Sequence, residues 1–435
     1  MRHVAIAAVA AVVAFGPGTG QGQTVLSGHG GPIMGIDVAL DGTVVTASFD
    51  NAVGVWTDGD PIWLDGHDAA VTAVAALSDG RIASGGDDFA VRLWTDGRSV
   101  ELGRHAGKVA ALAASPDGAL LASAGWDGTI GLWSLADAAP RRIELGDGGV
   151  NDVAFAPGGD VLYAATQGGT LWRLDPTGTA AGRPLVRHGF GINRVAVGAG
   201  WLAYGAVDGV TRVVDPENGG AIHDVTLERR PILAMAHHDG TRRLAVGDGD
   251  GYVMVLDTRD WSLVRDFRAT LDGPVWALAY GPDGATLYAG GLDDAAHAWP
   301  VGTDDAELGA AGPAIDGRRA FLRDPATMSN GQRQFTRKCA ICHDLDAGPS
   351  RRAGPSLHGL FGRRAGTVEG YAYSPALARS AIVWDDDTID ALFDQGPAHY
   401  VPGTKMPMQV IAGATDRADL IEYLRNATRV AEERK

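Results

Sequence analysis

Gly125-Trp126-Asp127-Gly128-Thr129-Ile130-Gly131-Leu132-Trp133 is one copy of a phrase that returns along most of the chain. It follows Ser48-Phe49-Asp50-Asn51-Ala52-Val53-Gly54-Val55-Trp56 and Gly86-Asp87-Asp88-Phe89-Ala90-Val91-Arg92-Leu93-Trp94, and each copy places Asp six residues before Trp. Leu174, Val214, Leu256 and Trp299 continue the terminal slot, so the phrase recurs every 38 to 43 residues. Asp208, Asp250 and Asp293 keep the six-residue spacing, and only the fourth copy has lost its Asp, to Gly168. A fixed period of this length signals a repeat architecture in which each unit buries its apolar face against its neighbours.

Upstream of each phrase lies an alternating apolar segment and a turn. Val109-Ala110-Ala111-Leu112-Ala113-Ala114 followed by Ser115-Pro116-Asp117-Gly118 is an instance, in which Pro presets φ and Gly supplies the left-handed corner. This pattern resembles the WD-repeat β-propeller family over about residues 24–301, which implies an all-β ring of seven blades. The resemblance also implies a hydrogen-bonded tetrad inside a blade, matched here by His29, Thr46, Asp50, Trp56; by His67, Ser84, Asp88, Trp94; and by His105, Ser123, Asp127, Trp133. A Ser, His and Asp set has the composition of a catalytic triad, but a hydroxyl that recurs in three adjacent repeats reads as a structural bond. Closing the ring requires an outer strand for the last blade, and residues 24–27 can supply it. Gly247-Asp248-Gly249-Asp250-Gly251 reads as an inter-strand turn, and His237-His238 as a strand-end pair with no third ligand at metal spacing.

The chain has 435 residues and a formal net charge of -16. The excess is uneven: 23 basic and 40 acidic residues precede residue 326, against 14 and 13 after it. An acidic field argues against a nucleic-acid partner, which needs cations to displace counterions. Met1-Arg2-His3, an apolar run over residues 4–15 and then Gly16-Pro17-Gly18-Thr19-Gly20 follow the order of an export signal, read at about residues 1–22. The apolar run is short for a bilayer span, which takes about 20 residues, so a periplasmic location is expected.

Only two cysteines occur, in Cys339-Ala340-Ile341-Cys342-His343. Two thiols three positions apart with an adjoining imidazole suit covalent attachment of one haem c through its vinyl groups, with the imidazole on iron. A thioredoxin-like site would need a βαβ context and a structural zinc site a second ligand pair, and the sequence offers neither. Downstream, Tyr400-Val401-Pro402-Gly403-Thr404-Lys405-Met406-Pro407-Met408 holds thioether sulfurs in a Pro/Gly-bracketed loop.

Residues 330–335 leading into Cys339, the run Gly354-Pro355-Ser356-Leu357-His358-Gly359-Leu360-Phe361-Gly362-Arg363-Arg364-Ala365-Gly366, then Gly370-Tyr371-Ala372-Tyr373-Ser374, Trp384 and residues 416–427 are similar to the class I cytochromes c of the mitochondrial and α-proteobacterial type. The resemblance covers about residues 327–430 and implies an all-α domain. It implies thioether links at Cys339 and Cys342, His343 as proximal ligand, and Met406, with Met408 as local rival, as distal ligand. It further implies that the Pro355 carbonyl orients His343, that Arg363, Tyr373 and Trp384 face the haem propionates, and that Tyr371 packs their rim. Two positions depart from the family. Leu392 stands where many relatives place a Tyr beside the axial Met, and Lys338 and Lys405 are the only lysines of this domain before its extreme C-terminus. Asp385-Asp386-Asp387 reads as the acidic start of a helix.

The sequence therefore predicts a leader at 1–22, a seven-bladed propeller at 24–301, a linker at 302–325 and a cytochrome c domain at 326–430. The function expected is one-electron transfer by a single-haem cytochrome, with the propeller as docking scaffold and redox proteins as partners, a membrane respiratory complex or a periplasmic reductase among them. An oxidoreductase whose propeller feeds the cytochrome from its own substrate site, and a haem-based redox or gas sensor, are the competing readings.

Overall fold

The computed structural model describes residues 24–57, 61–136, 139–178, 182–225, 231–270, 273–301, 328–340, 343–347, 354–371, 373–401, 404, 406 and 410–429. The leader and the linker expected from the sequence lie outside them. Thr24–Ser27 through Ala295–Pro300 form seven four-stranded antiparallel sheets. Six are meanders in chain order, the first being Ile33–Val38, Val44–Ser48, Ala52–Trp56 and Ile62–Asp65. The seventh, Val275–Tyr280, Thr286–Gly291 and Ala295–Pro300, takes its outer strand from Thr24–Ser27, with Thr24 opposite Ala298 and Ser27 opposite Ala295. The first strand thus covers an edge that would otherwise present unpaired backbone groups.

Blades pack through their faces. Ala83, Ala122, Ala164, Ala203 and Ala245, on the second strands of blades two to six, are fully buried, because a larger side chain there would hold neighbouring sheets apart. Between blades one and two, Val45, Ala47 and Val53 meet Val71 and Val74, each fully buried valine being worth about 1.5–3 kcal/mol. All seven inner strand pairs shift register at their first residues, as between Ile33 and Gly35 or Val109 and Ala111, a bulge that sharpens the local twist. Polar links tie inner strands across blades: Asn151 Nδ2 donates to the Ile192 carbonyl at 3.0 Å and Asn193 Nδ2 to that of Ile232 at 2.9 Å. Asp37 and Asp152 accept from the Ala76 and Val195 amides at 2.8 and 2.9 Å.

The tetrads close as the repeat pattern implied. In blade two, the Trp94 indole donates to Ser84 Oγ at 2.7 Å, Ser84 Oγ lies 2.7 Å from His67 Nε2, and His67 Nδ1 lies 3.0 Å from Asp88. Blades one and three repeat this with Trp56, Thr46, His29, Asp50 and with Trp133, Ser123, His105, Asp127. Each hydroxyl is fully buried and committed to holding its blade. Burial pushes the His105 imidazole below its ordinary value. Blade four lacks the tetrad: Gly168 fills the Asp slot and Ala164 the hydroxyl slot, while Asp147, at the position where other blades carry His, accepts from Thr166 Oγ1 at 2.6 Å. A Cβ on Gly168 would come within 2.3 Å of that carboxylate.

The second domain is organised by α1 (Asn330–Lys338), α2 (Pro375–Ala378), α3 (Asp386–Gln395), α4 (Pro397–Tyr400) and α5 (Ala414–Ala427). Long irregular segments and one isolated bridge, Arg364 to Val383, join them. Helix α1 starts on a Ser329 cap, and α3 on a capping box of Asp385 and Thr388, with Asp386 and Asp387 in its first turn, where the helix dipole favours negative charge. Helices α1 and α5 cross at Gly331, whose absent Cβ would stand 1.9 Å from the Asp419 carbonyl oxygen. Asn330 Nδ2 bonds Asp416 and Asp419 beside that crossing, and Phe335 packs on Tyr423 at 5.6 Å. Arg417 on α5 bonds Asp390 on α3 at 2.7 Å. Among the described residues no helix is long and apolar enough to cross a membrane.

Candidate functional site

The helices and loops of the second domain surround a cavity of about 410 Å³, within the range of cofactor sites. Its walls are mostly aliphatic and aromatic. Leu357, Leu360, Leu377, Ile389, Leu392, Phe393, Val401 and Leu424 line it and belong to or pack on the domain core. Helix periodicity gives Ile389, Leu392 and Phe393 in α3 and Leu424 in α5 an apolar face, but no feature of the sequence marks any of the eight as cavity wall rather than core.

Cys339 ends α1, its amide bonded to the Phe335 carbonyl at 2.8 Å, and its side chain is buried on the cavity wall. The His343 amide returns to the Cys339 carbonyl at 2.9 Å, so the imidazole follows one turn beyond the cysteine on the same wall. His343 Nδ1 lies 2.8 Å from the Pro355 carbonyl oxygen. A carbonyl only accepts, so Nδ1 carries the proton and Nε2 is the basic nitrogen. Gly354 permits this approach, since a Cβ there would stand 2.4 Å from His343 Cε1. Cys342 lies outside the described residues.

Met406 lines the same cavity and packs on the domain core, its amide bonded to Thr404 Oγ1 at 3.2 Å. Its rival Met408 lies outside the described residues. Arg363, Tyr371, Tyr373 and Trp384 also line the cavity. Arg363 spans the wall by donating to the His358 and Ser356 carbonyls at 2.6 and 2.9 Å, and burial pushes its guanidinium down from its ordinary value. Tyr371 and Tyr373 meet edge to face at 4.7 Å, and burial lifts the Tyr373 phenol. The Trp384 amide bonds the Arg363 carbonyl at 3.0 Å, fixing both residues on one rim. A cluster of cations and phenols beside an apolar cavity suits carboxylates carried in by a bound group.

The structure thus brings His343, Met406, Cys339, Pro355, Arg363, Tyr371, Tyr373 and Trp384 together around one space. An imidazole with a fixed tautomer, a thioether and a thiol around an apolar cavity are donors that fit a c-type haem. Sequence reading missed Ser374 and Thr404, and it missed the part of the lining that belongs to the first two propeller blades.

Comparisons with known proteins point the same way. Residues 328–428 match the cytochrome c family, and residues 20–57, 62–95, 98–134 and 261–299 match the WD domain, G-beta repeat. Cytochrome c of Sesamum indicum is 44% identical over 105 residues, which is 24% of this chain and 93% of that protein. That of Gossypium barbadense gives the same identity and shares, and that of Nigella damascena is 43% identical over 111 residues, 25% of this chain and 98% of its own length.

Proposed function

We propose, from the premise that the chain belongs to the cytochrome c family through its residues 328–428, that it is a periplasmic carrier passing one electron at a time between redox proteins. The cytochrome c domain implies haem c with iron, and when bound that group supplies the one-electron chemistry. The remaining work falls to the chain. In this reading Cys339 and Cys342 hold the group covalently, and the chain has no other cysteine for a second attachment. His343 and Met406 would supply nitrogen and sulfur to its iron, and the Pro355 carbonyl orients His343 and would strengthen it as a donor. Arg363, Tyr373 and Trp384 would receive the propionates, and Tyr371 would pack that rim. The domain is read as all-α, its irregular segments serving as the cavity's walls and ligand loops.

The observation that carries this reading is the shared cavity of His343 and Met406, with the tautomer of His343 set by Pro355. Were both His343 and Met406 bound to the iron, no outside molecule would need access to it. The periplasmic assignment rests on the composition of the first twenty or so residues. A WD propeller together with a cytochrome c domain suits protein partners. The propeller is read as the scaffold that brings the second domain to a donor and an acceptor, a membrane respiratory complex or a periplasmic reductase.

Exposure of the reduced holoprotein to carbon monoxide tests this. A spectrum left unchanged supports transfer, and ready binding would favour the sensor. A second cofactor in metal and mass analysis would favour an enzyme whose propeller has a substrate site.

A further inference from the structure

The cavity wall does not stop at the second domain. It continues into the propeller through Phe49 and Asn51 of blade one and Asp68, Asp87 and Phe89 of blade two. These residues sit in the turns that join the second and third strands of the two blades and in the loop entering blade two.

Those turns are unusual in one respect. The residue after the repeat's Asp slot is Gly128, Gly169, Gly209 and Gly251 in blades three to six, with φ between 82° and 90°. Blades one and two place Asn51 and Phe89 in that slot, at φ of 72° and 69°. The left-handed region is open to glycine and tolerable for Asn, but it is an unfavourable place for Phe. Blade seven has Asp294 in that slot without a positive φ, so the two side chains held in the left-handed region are those on the two turns that line the cavity. Asn51 Oδ1 is buried without a hydrogen-bond partner among the described residues, and Phe89 keeps 40% of its surface exposed. The charges are complementary across the space, with Asp68 and Asp87 on the propeller side and Lys338, Arg363 and Arg364 on the other. Lys108, 4.0 Å from Asp87, and Arg104, which interacts with Asp68, are further cations facing this group from the propeller. Backbone strain retained at two sites that line one cavity points to a role for that place.

We propose that the Asn51 and Phe89 turns, with Asp68 and Asp87, form an interaction surface for the chain's own second domain. They cover the mouth of its cavity, so that an outside redox partner meets the cavity only when this cover is displaced. The proposal rests on the reading of the cavity as the haem site, but the shared lining is there whether or not that reading holds.

The test is zero-length carbodiimide cross-linking of the full-length protein, read by peptide mass spectrometry. Such a reagent joins an ammonium directly to a carboxylate, and among the described residues Lys338 is the lysine on the cavity wall. The expected product links Lys338 to Asp68 or Asp87, with a yield that falls in high salt as the charges are screened. Phe89→Gly, which relaxes the turn, lowers that yield by about threefold or more without lowering the melting temperature of the propeller. Lys338 linking to neither carboxylate, or a yield unchanged by Phe89→Gly, overturns the cover. A cross-link in a protein that carries no haem would retain the cover and reject the proposed function.

Discussion

The His343 imidazole donates its Nδ1–H to the Pro355 carbonyl oxygen over 2.8 Å. Because the acceptor is backbone, replacing the Pro355 side chain leaves the bond's chemistry intact. The sensitive position is its neighbour: Gly354→Ala puts a Cβ 2.4 Å from the ring, and the imidazole or the loop must yield. We expect a cost of about 1–3 kcal/mol and a shifted midpoint potential, measured by denaturation and by redox titration of the holoprotein. An unchanged potential would mean that the loop absorbs the methyl.

Met406 lines the cavity, and His/Met ligation raises the potential relative to His alone. Met406→Ala is expected to lower the midpoint potential and to let the reduced protein bind carbon monoxide, whereas Met408→Ala does neither. Parallel titrations of the two variants decide between the two sulfurs.

Gly331→Ala should be among the most damaging methyl additions in the second domain, since the new carbon meets backbone at 1.9 Å where α1 crosses α5. A loss of about 3 kcal/mol or more is expected, read by chemical denaturation followed in the haem absorption band. The propeller transition should not move.

Ser84→Ala leaves the Trp94 indole and His67 Nε2, each 2.7 Å from the lost oxygen, without that partner inside blade two. Each buried polar atom so stranded costs about 1–3 kcal/mol. Calorimetry of the propeller transition measures the loss, and a change within a few tenths of a kcal/mol would contradict a structural tetrad.

Burial raises the Asp37 carboxyl to about 6 from an ordinary 3.8, against hydrogen bonds from Ala76 and Val38 that lower it. The folded state therefore binds more protons than the unfolded chain between these values, and stability falls as pH rises from about 4 to about 7. The loss from this one group is about 2 kcal/mol, reduced from the full shift because the carboxyl is only partly withdrawn from water. Asp37→Asn should flatten that part of the stability profile, as read from melting temperatures across the window.

Much of the architecture is legible in the chain because it repeats. The Asp-to-Trp spacing fixes where blades fall, and residues 24–27 are legible as the closing strand because a ring leaves one edge to fill. The haem-type motif is legible because Cys339, His343 and the Thr404 to Met406 loop lie in local runs. Long-range placement is less so. That Leu392 and Phe393 on α3 and Leu424 on α5 would line one cavity depends on how the helices pack, and the motif at 330–335 does not by itself show that Gly331 sets the α1/α5 crossing. Asp147, in the His slot of blade four, places a carboxylate on Thr166, a substitution that the spacing of the Asp slot alone reads only as a loss. Asn51 and Phe89 look like ordinary turn variation until their positive φ and their place on the cavity wall are seen together.

The most direct test of the central claim is the intact mass of the purified protein after acid-acetone extraction, with iron counted on the same sample. One iron per chain before extraction, and one haem that survives it on the peptide bearing Cys339 and Cys342, is the result this account predicts. A haem that extracts freely, or more than one iron per chain, would contradict it.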